Sequence, residues 1–173
     1  MLTFSYEQMV DMKISKQFQK LKNLNVKAEN CLSREEAKKI IKICTNYSYG
    51  KLKIINLFAL ITRNPDKLLI HKKPVGYLNN RFINENLKYW SENNNCDLWM
   101  GWGNNGTFFK RNQKISKKIM NFYATKKNNF VNPLGPLFIK KTKKENPIHP
   151  LYCSDNSTLQ AASFERDLID AKV

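Results

Sequence analysis

Between Cys96 and Thr125 the chain passes from an apolar, strand-like run through a glycine turn into a helix-like repeat. That turn constrains the fold more than any other stretch. It reads Gly101–Trp102–Gly103–Asn104–Asn105–Gly106, a literal G-x-G-x-x-G. Glycines in this setting let a backbone bend sharply and bring N–H groups to an anion at a helix N-terminus. A dinucleotide-binding unit would add an acidic residue about 20 positions on, to hold a ribose hydroxyl. This chain has no Asp or Glu from Leu98 to Lys144. The same span carries Lys110, Arg111, Lys114, Lys117, Lys118, Lys126 and Lys127, with further lysines from Lys140 to Lys144. A glycine turn inside a wholly cationic stretch suits a polyanion better than a dinucleotide cofactor.

The whole chain leans the same way. Its 173 residues hold 30 Lys and Arg against 14 Asp and Glu, a net charge of +16, which favours a nucleic acid or another anionic surface as partner. The plain alternative is a lysine- and asparagine-rich chain whose extra charge is merely solvated. A uniform bias, however, would not clear acids from 47 consecutive residues while leaving Glu29, Glu35 and Glu36 close together. The length fits a single domain over residues 1–173, with an N-terminal helix in 1–20 and a polar tail in 154–173. A hydrophobic content of 42% and an aromatic content of 12% exclude global disorder.

Cys31, Cys44, Cys96 and Cys153 are scattered, and His71 and His149 are the two histidines, so no metal-ligand spacing exists. Buried, reduced thiols are expected, with no metal and no cofactor. The first residues lack a basic segment followed by an apolar one, and no apolar run nears the roughly 18 residues of a membrane span. A soluble cytoplasmic protein without a membrane partner is expected. Nothing in the sequence sets an oligomeric state.

Apolar spacing predicts a helix from Phe4 to about Lys20 and a short strand from Lys20 to Val26. Ser33 and Glu36 form a capping box for a helix ending near Tyr47, with Ile40, Ile43 and Cys44 inward and Gly50 as its stop. Lys51–Phe58 reads as a buried strand and Pro65–Ile70 as a short helix. A longer helix follows from Gly76 to Glu92, then a strand over Cys96–Trp102. Thr107–Thr125 is a helix with Phe108, Ile115, Ile119 and Phe122 on one stripe, and Pro136–Lys140 a last strand. A helical turn is expected near Phe164–Ile169. This alternation predicts an α/β three-layer sandwich around a central, mostly parallel four-stranded sheet. Ligands of such sheets sit beyond the carboxyl ends of the strands. Those ends carry Leu24–Asn25–Val26, Asn56–Leu60, Gly101–Gly106 and, across a lysine loop, His149–Tyr152.

Tyr49–Gly50, Asn56–Leu57–Phe58–Ala59–Leu60, Pro74–Val75–Gly76 with Asn79, Trp102–Gly103 and His149–Pro150–Leu151–Tyr152 occur in that order. As a set they resemble the domain of unknown function 1643 family of bacteria and phages. In strand order and tag placement that family is similar to the uracil-DNA-glycosylase superfamily. The resemblance implies a glycosylase-like fold in a phage-encoded or phage-defence setting. It implies Asn25 at the water-positioning motif, Asn56 at the base-reading position and His149 at the leaving-group position. The first motif reads Leu24–Asn25–Val26–Lys27, where the family has Leu–Asn–Pro–Ser.

The residues suit that chemistry. An extruded base needs a pocket that reads its edge and stacks on its face. An Asn56 amide offers donor and acceptor; alternatively it ties a strand end to a loop. His149 precedes Pro150, which holds its backbone extended, and it would donate to the departing base; alternatively it bonds its own turn. Phe58, Trp102 and Tyr152 are candidates to contact the base. Gly103 and Gly106 are candidates to offer N–H groups to a phosphate. Lys110, Arg111, Lys114 and Lys118 would meet the DNA backbone. The leading expectation is excision of a nucleobase, which could be a modified one, from duplex or single-stranded DNA. The alternatives are a non-catalytic nucleic-acid binder on the same scaffold, favoured by the altered first motif, and an enzyme acting on a small nucleotide or nucleoside.

Overall fold

The structure, a computed structural model, describes residues 2–5, 34–60, 62, 64–154 and 156–162. The helix expected over residues 1–20 is corrected at its start, where Leu2–Ser5 is a strand; the rest of it, the strand at Lys20–Val26, Asn25, the Ser33 cap and the turn at Phe164–Ile169 lie outside these residues.

Among the described residues, five strands form one sheet: β1 (Leu2–Ser5), β2 (Lys51–Ile54), β3 (Cys96–Trp99), β4 (Leu137–Phe138) and β5 (Gln160–Ala161), in the order β2-β1-β3-β4-β5. The helices are α1 (Arg34–Asn46), α2 (Lys67–Ile70), α3 (Asn79–Glu92) and α4 (Arg111–Asn129). The expectation of a mostly parallel four-stranded sheet is corrected here. Only β3 and β4 pair in parallel, at Trp99 and Leu137. β1 lies antiparallel to both β2 and β3, and β5 antiparallel to β4. The cause is the insertion of the first residues, Leu2 opposite both Ile54 and Trp99, as a middle strand. Because β1 opposes both neighbours, β2 and β3 still point the same way, and so does β4. Their carboxyl ends share one end of the sheet.

β3 shows how the layers arise. It is buried throughout, as a strand covered on both faces must be. Alternation sends Cys96, Leu98 and Met100 to one side, where they join Ile83, Leu87 and Trp90 of α3, Ile115 and Ile119 of α4, and Phe138. Trp99 goes to the other side with Ile40, Ile43 and Cys44 of α1, Tyr49, Ile139 and Cys153. Helices thus cover both faces. β2 lies at the sheet edge and keeps Lys51 and Lys53 exposed, a charged edge that discourages strand addition.

Polar groups fix the frame at two buried points. The Tyr49 hydroxyl donates to Asp97 Oδ2 at 2.5 Å. Lys126 is fully buried, and its Nζ donates to the carbonyls of Trp90, Asn93 and Cys96 at 3.1, 2.9 and 2.9 Å. It thereby closes the C-terminal end of α3 onto the start of β3. This lysine of the cationic stretch is therefore part of the core and not of a nucleic-acid face. Burial lowers its pKa from the usual lysine value. The thiols of Cys44, Cys96 and Cys153 are also interior. Burial pushes Cys44 up to about 12 and Cys96 to about 11, so neither is a thiolate nucleophile at neutral pH. No described helix is long and apolar enough to cross a membrane.

Candidate functional site

The glycine turn and the His149–Tyr152 segment meet at the carboxyl end of the sheet. Gly103 adopts a left-handed φ of 63°, and a Cβ there would stand 3.2 Å from His149 Cβ. A Cβ on Gly101 would stand 3.2 Å from Pro150 Cδ. These glycines let the turn close onto the histidine segment. The turn is then pinned: Gly103 N–H donates to Pro147 O at 2.8 Å, and Thr142 Oγ1 and Asn146 Nδ2 donate to Asn104 Oδ1 at 2.7 and 3.3 Å.

Their role therefore differs from the expected one. The N–H groups of Gly103 and Gly106 are spent internally, the latter on Gly103 O at 3.3 Å, and present nothing to a phosphate. Gly106 is required by Trp102: an added Cβ would lie 2.3 Å from the indole Cδ1. Trp102 itself is 7% exposed and packs in the core, so it is no stacking platform for a base. Gly106→Ala is expected to destabilise the fold by about 1–3 kcal/mol through overpacking, read as a lower urea midpoint.

His149 is half-buried. Leu151 N–H donates to its Nδ1 at 3.4 Å, which assigns the ring proton to Nε2. The Tyr152 ring stands edge-on at 6.3 Å between centroids. Burial pulls the imidazole pKa down from 6.5 to about 4, so the ring is neutral at physiological pH. Lys39 of α1 holds the same segment by donating to Leu151 O and Cys153 O at 2.8 and 3.1 Å. A neutral imidazole is a form that can donate a hydrogen bond to developing negative charge. Tyr152 is 70% exposed and is available as a contact surface beside it.

Asn56 follows β2 at the same end of the sheet, and its side chain is exposed. Its own carbonyl, with that of Leu57, accepts from Asn79 Nδ2 at 3.3 and 2.8 Å. Phe58 is buried and packs edge-on against the half-exposed Phe109, with ring centroids 6.3 Å apart, so it supports a surface aromatic. Gly76 explains the neighbouring tag: at a φ of 73°, its Cβ would fall 2.6 Å from Ala59 Cβ.

Of the expected backbone-contact residues, Lys110 and Lys114 are exposed. Lys118 is half-buried and joins α4 to α3 by donating to Asn84 Oδ1 at 2.8 Å. Arg111 is 3% exposed, which corrects its place on the outer face. Its Nε donates to Leu57 O at 2.8 Å and its Nη1 to Asn80 Oδ1 at 2.6 Å, so it clamps the segment after β2 onto α3 and α4. The kink before α4 places it there. Phe109 and Lys110 both have left-handed φ values, 55° and 54°, which no sequence signal announced. The structure therefore joins His149 to the Trp–Gly turn, and Arg111 to the segment after β2 at Leu57, as two separate groups. Among the described residues, no three His, Cys, Asp or Glu side chains form a metal site.

No curated protein and no solved structure matches the chain. Residues 14–151 match the family described as Protein of unknown function (DUF1643), and that span takes in Tyr49–Gly50, Asn56–Leu60, Pro74–Gly76, Trp102–Gly103 and the start of the His149 segment. The match covers well over half of the chain, which therefore belongs to the DUF1643 family.

Proposed function

We propose that this chain binds DNA in the cytoplasm and excises a nucleobase by hydrolysing the N-glycosidic bond, on a scaffold similar to that of uracil-DNA glycosylases. The observation that carries the reading is the placement of His149: a half-buried imidazole whose pKa burial lowers to about 4, its Nδ1 accepting from Leu151 N–H beyond the ends of parallel-pointing strands. Cleavage leaves negative charge on the departing base, and a fixed neutral donor stabilises it without a buried cation. Asn56 reads the base edge and Asn25 orients water, as the family resemblance implies. Lys110 and Lys114 supply phosphate contacts.

One observation favours binding without cleavage. The turn's N–H groups, Trp102 and Phe58 are all committed to the fold, leaving Tyr152 as the exposed ring beside His149. Duplex and single-stranded DNA carrying normal, uracil or hypermodified bases separates the readings. Alkali-labile abasic sites support excision, and salt-sensitive binding without them supports a binder. Failure to bind at low salt leaves a nucleotide- or nucleoside-processing enzyme. Lys110→Ala and Lys114→Ala are each expected to reduce the slope of log affinity against log salt by about 1. An unchanged slope contradicts their role.

A further inference from the structure

A pocket of about 470 Å³ opens between the Lys72–Tyr77 loop and the start of α4, lined also by Asn80, Phe109, Arg111 and Lys114. Its size is that of a small-molecule site. Among the described residues its lining has four cationic side chains, Lys72, Lys73, Arg111 and Lys114, and no carboxylate. Arg111 forms part of the wall. Two of its nitrogens are spent on Leu57 and Asn80, while Nη2 is buried without a hydrogen-bond partner among the described residues. A buried guanidinium nitrogen left unpaired is costly, and an acceptor entering from the pocket would relieve that cost. The positive end of α4 adds to the same potential. Tyr77 is 82% exposed and Phe109 47%, and Lys73 bonds the Tyr77 hydroxyl and lies over its ring. Phe109 is held in the pocket wall by a left-handed backbone, a conformation an aromatic residue adopts at a cost.

We propose that this pocket binds the phosphate of a nucleotide unit, with Arg111, Lys72 and Lys114 as its donors and Phe109 or Tyr77 against the base or sugar. Guanidinium and ammonium groups match phosphate oxygens in charge and donor geometry. Exposed rings at the mouth give a nucleobase a stacking face. The site deepens the proposed DNA binding by naming where one phosphate is held, and its phosphate comes from a strand or from a free mononucleotide.

Calorimetric titration with thymidine 5′-monophosphate, thymidine and a short single-stranded oligonucleotide tests it. Thymidine 5′-monophosphate is expected to bind about tenfold or more tightly than thymidine. Lys72→Gln with Lys114→Gln is expected to weaken it about tenfold at an unchanged melting temperature, and Arg111→Lys, which keeps the charge but loses the planar fork, to weaken it as well. An oligonucleotide that binds more tightly and is weakened alike names a strand as the source; one that fails to compete names the free nucleotide. Equal affinity for the two small ligands, no binding of either, or unchanged affinity in the double variant overturns the site. Abasic-site formation measured in parallel keeps the readings apart. Base release without phosphate binding contradicts the pocket alone, and phosphate binding without base release contradicts the excision alone.

Discussion

His149→Ala is expected to slow base release by about 10²–10⁴-fold while leaving the fold and DNA affinity nearly unchanged. The Ala side chain keeps the Cβ that faces Gly103, so the close approach of the Trp–Gly turn survives and only the imidazole is lost. Wild type and variant are compared by single-turnover rate, with the urea midpoint as control. The pH dependence follows from burial. The folded imidazole has a pKa of about 4, whereas an unfolded histidine titrates near about 6.5. Between these values the unfolded chain binds a proton that the folded one does not, so stability rises with pH across this window. From about pH 6.5 down to about 4, the fold is expected to lose up to about 3 kcal/mol from this group, a loss absent in His149→Ala. The neutral donor remains populated above about pH 5, so this group adds no inflection to the rate between about pH 6 and 8.

The largest stability loss is expected at Lys126. Lys126→Met leaves three carbonyls, two of them buried, at the end of α3 and the start of β3 without their shared donor. Hydrogen bonds to a charged group contribute about 1.5–3 kcal/mol each, offset by the cost of keeping an ammonium out of water. A net loss of about 3 kcal/mol is expected, visible as a urea midpoint shift. The ammonium also lies 5.2 Å from the Trp90 ring centroid, so near-ultraviolet circular dichroism of that tryptophan should change as well. A change below about 0.5 kcal/mol would mean that water replaces the lysine there, contrary to its complete burial.

Periodicity carried the long elements. The helix from Arg34 to Asn46, the helix ending at Glu92 and the strand beginning at Cys96 fall where the apolar spacing predicts them. β1 and β5 are four and two residues long, too short for any alternation to register. The sheet's direction therefore depended on Leu2–Ser5, whose pairing is wholly long-range. The helix predicted from Thr107 was half right, because two left-handed residues at Phe109 and Lys110 restart it at Arg111. At the site, the joining of Trp102–Gly103 to His149–Pro150 was legible as two tags after neighbouring strands. The burial of Arg111 and Lys126 was not. Lysine and arginine spacing reads as a solvated face, and only the surrounding carbonyls of Leu57, Trp90, Asn93 and Cys96 make these positions interior. Tyr77 and Asn80 carried no signal, since their meeting with Phe109 and Arg111 depends on the packing of α3 against α4.

Mass-spectrometric detection of free base, from DNA incubated with excess protein, bears most directly on the proposed excision. One base is expected to appear in step with abasic sites in the presence of the wild-type chain, and to be lost with His149→Ala. Bound DNA that releases no base from any substrate, or equal release by both proteins, would contradict it.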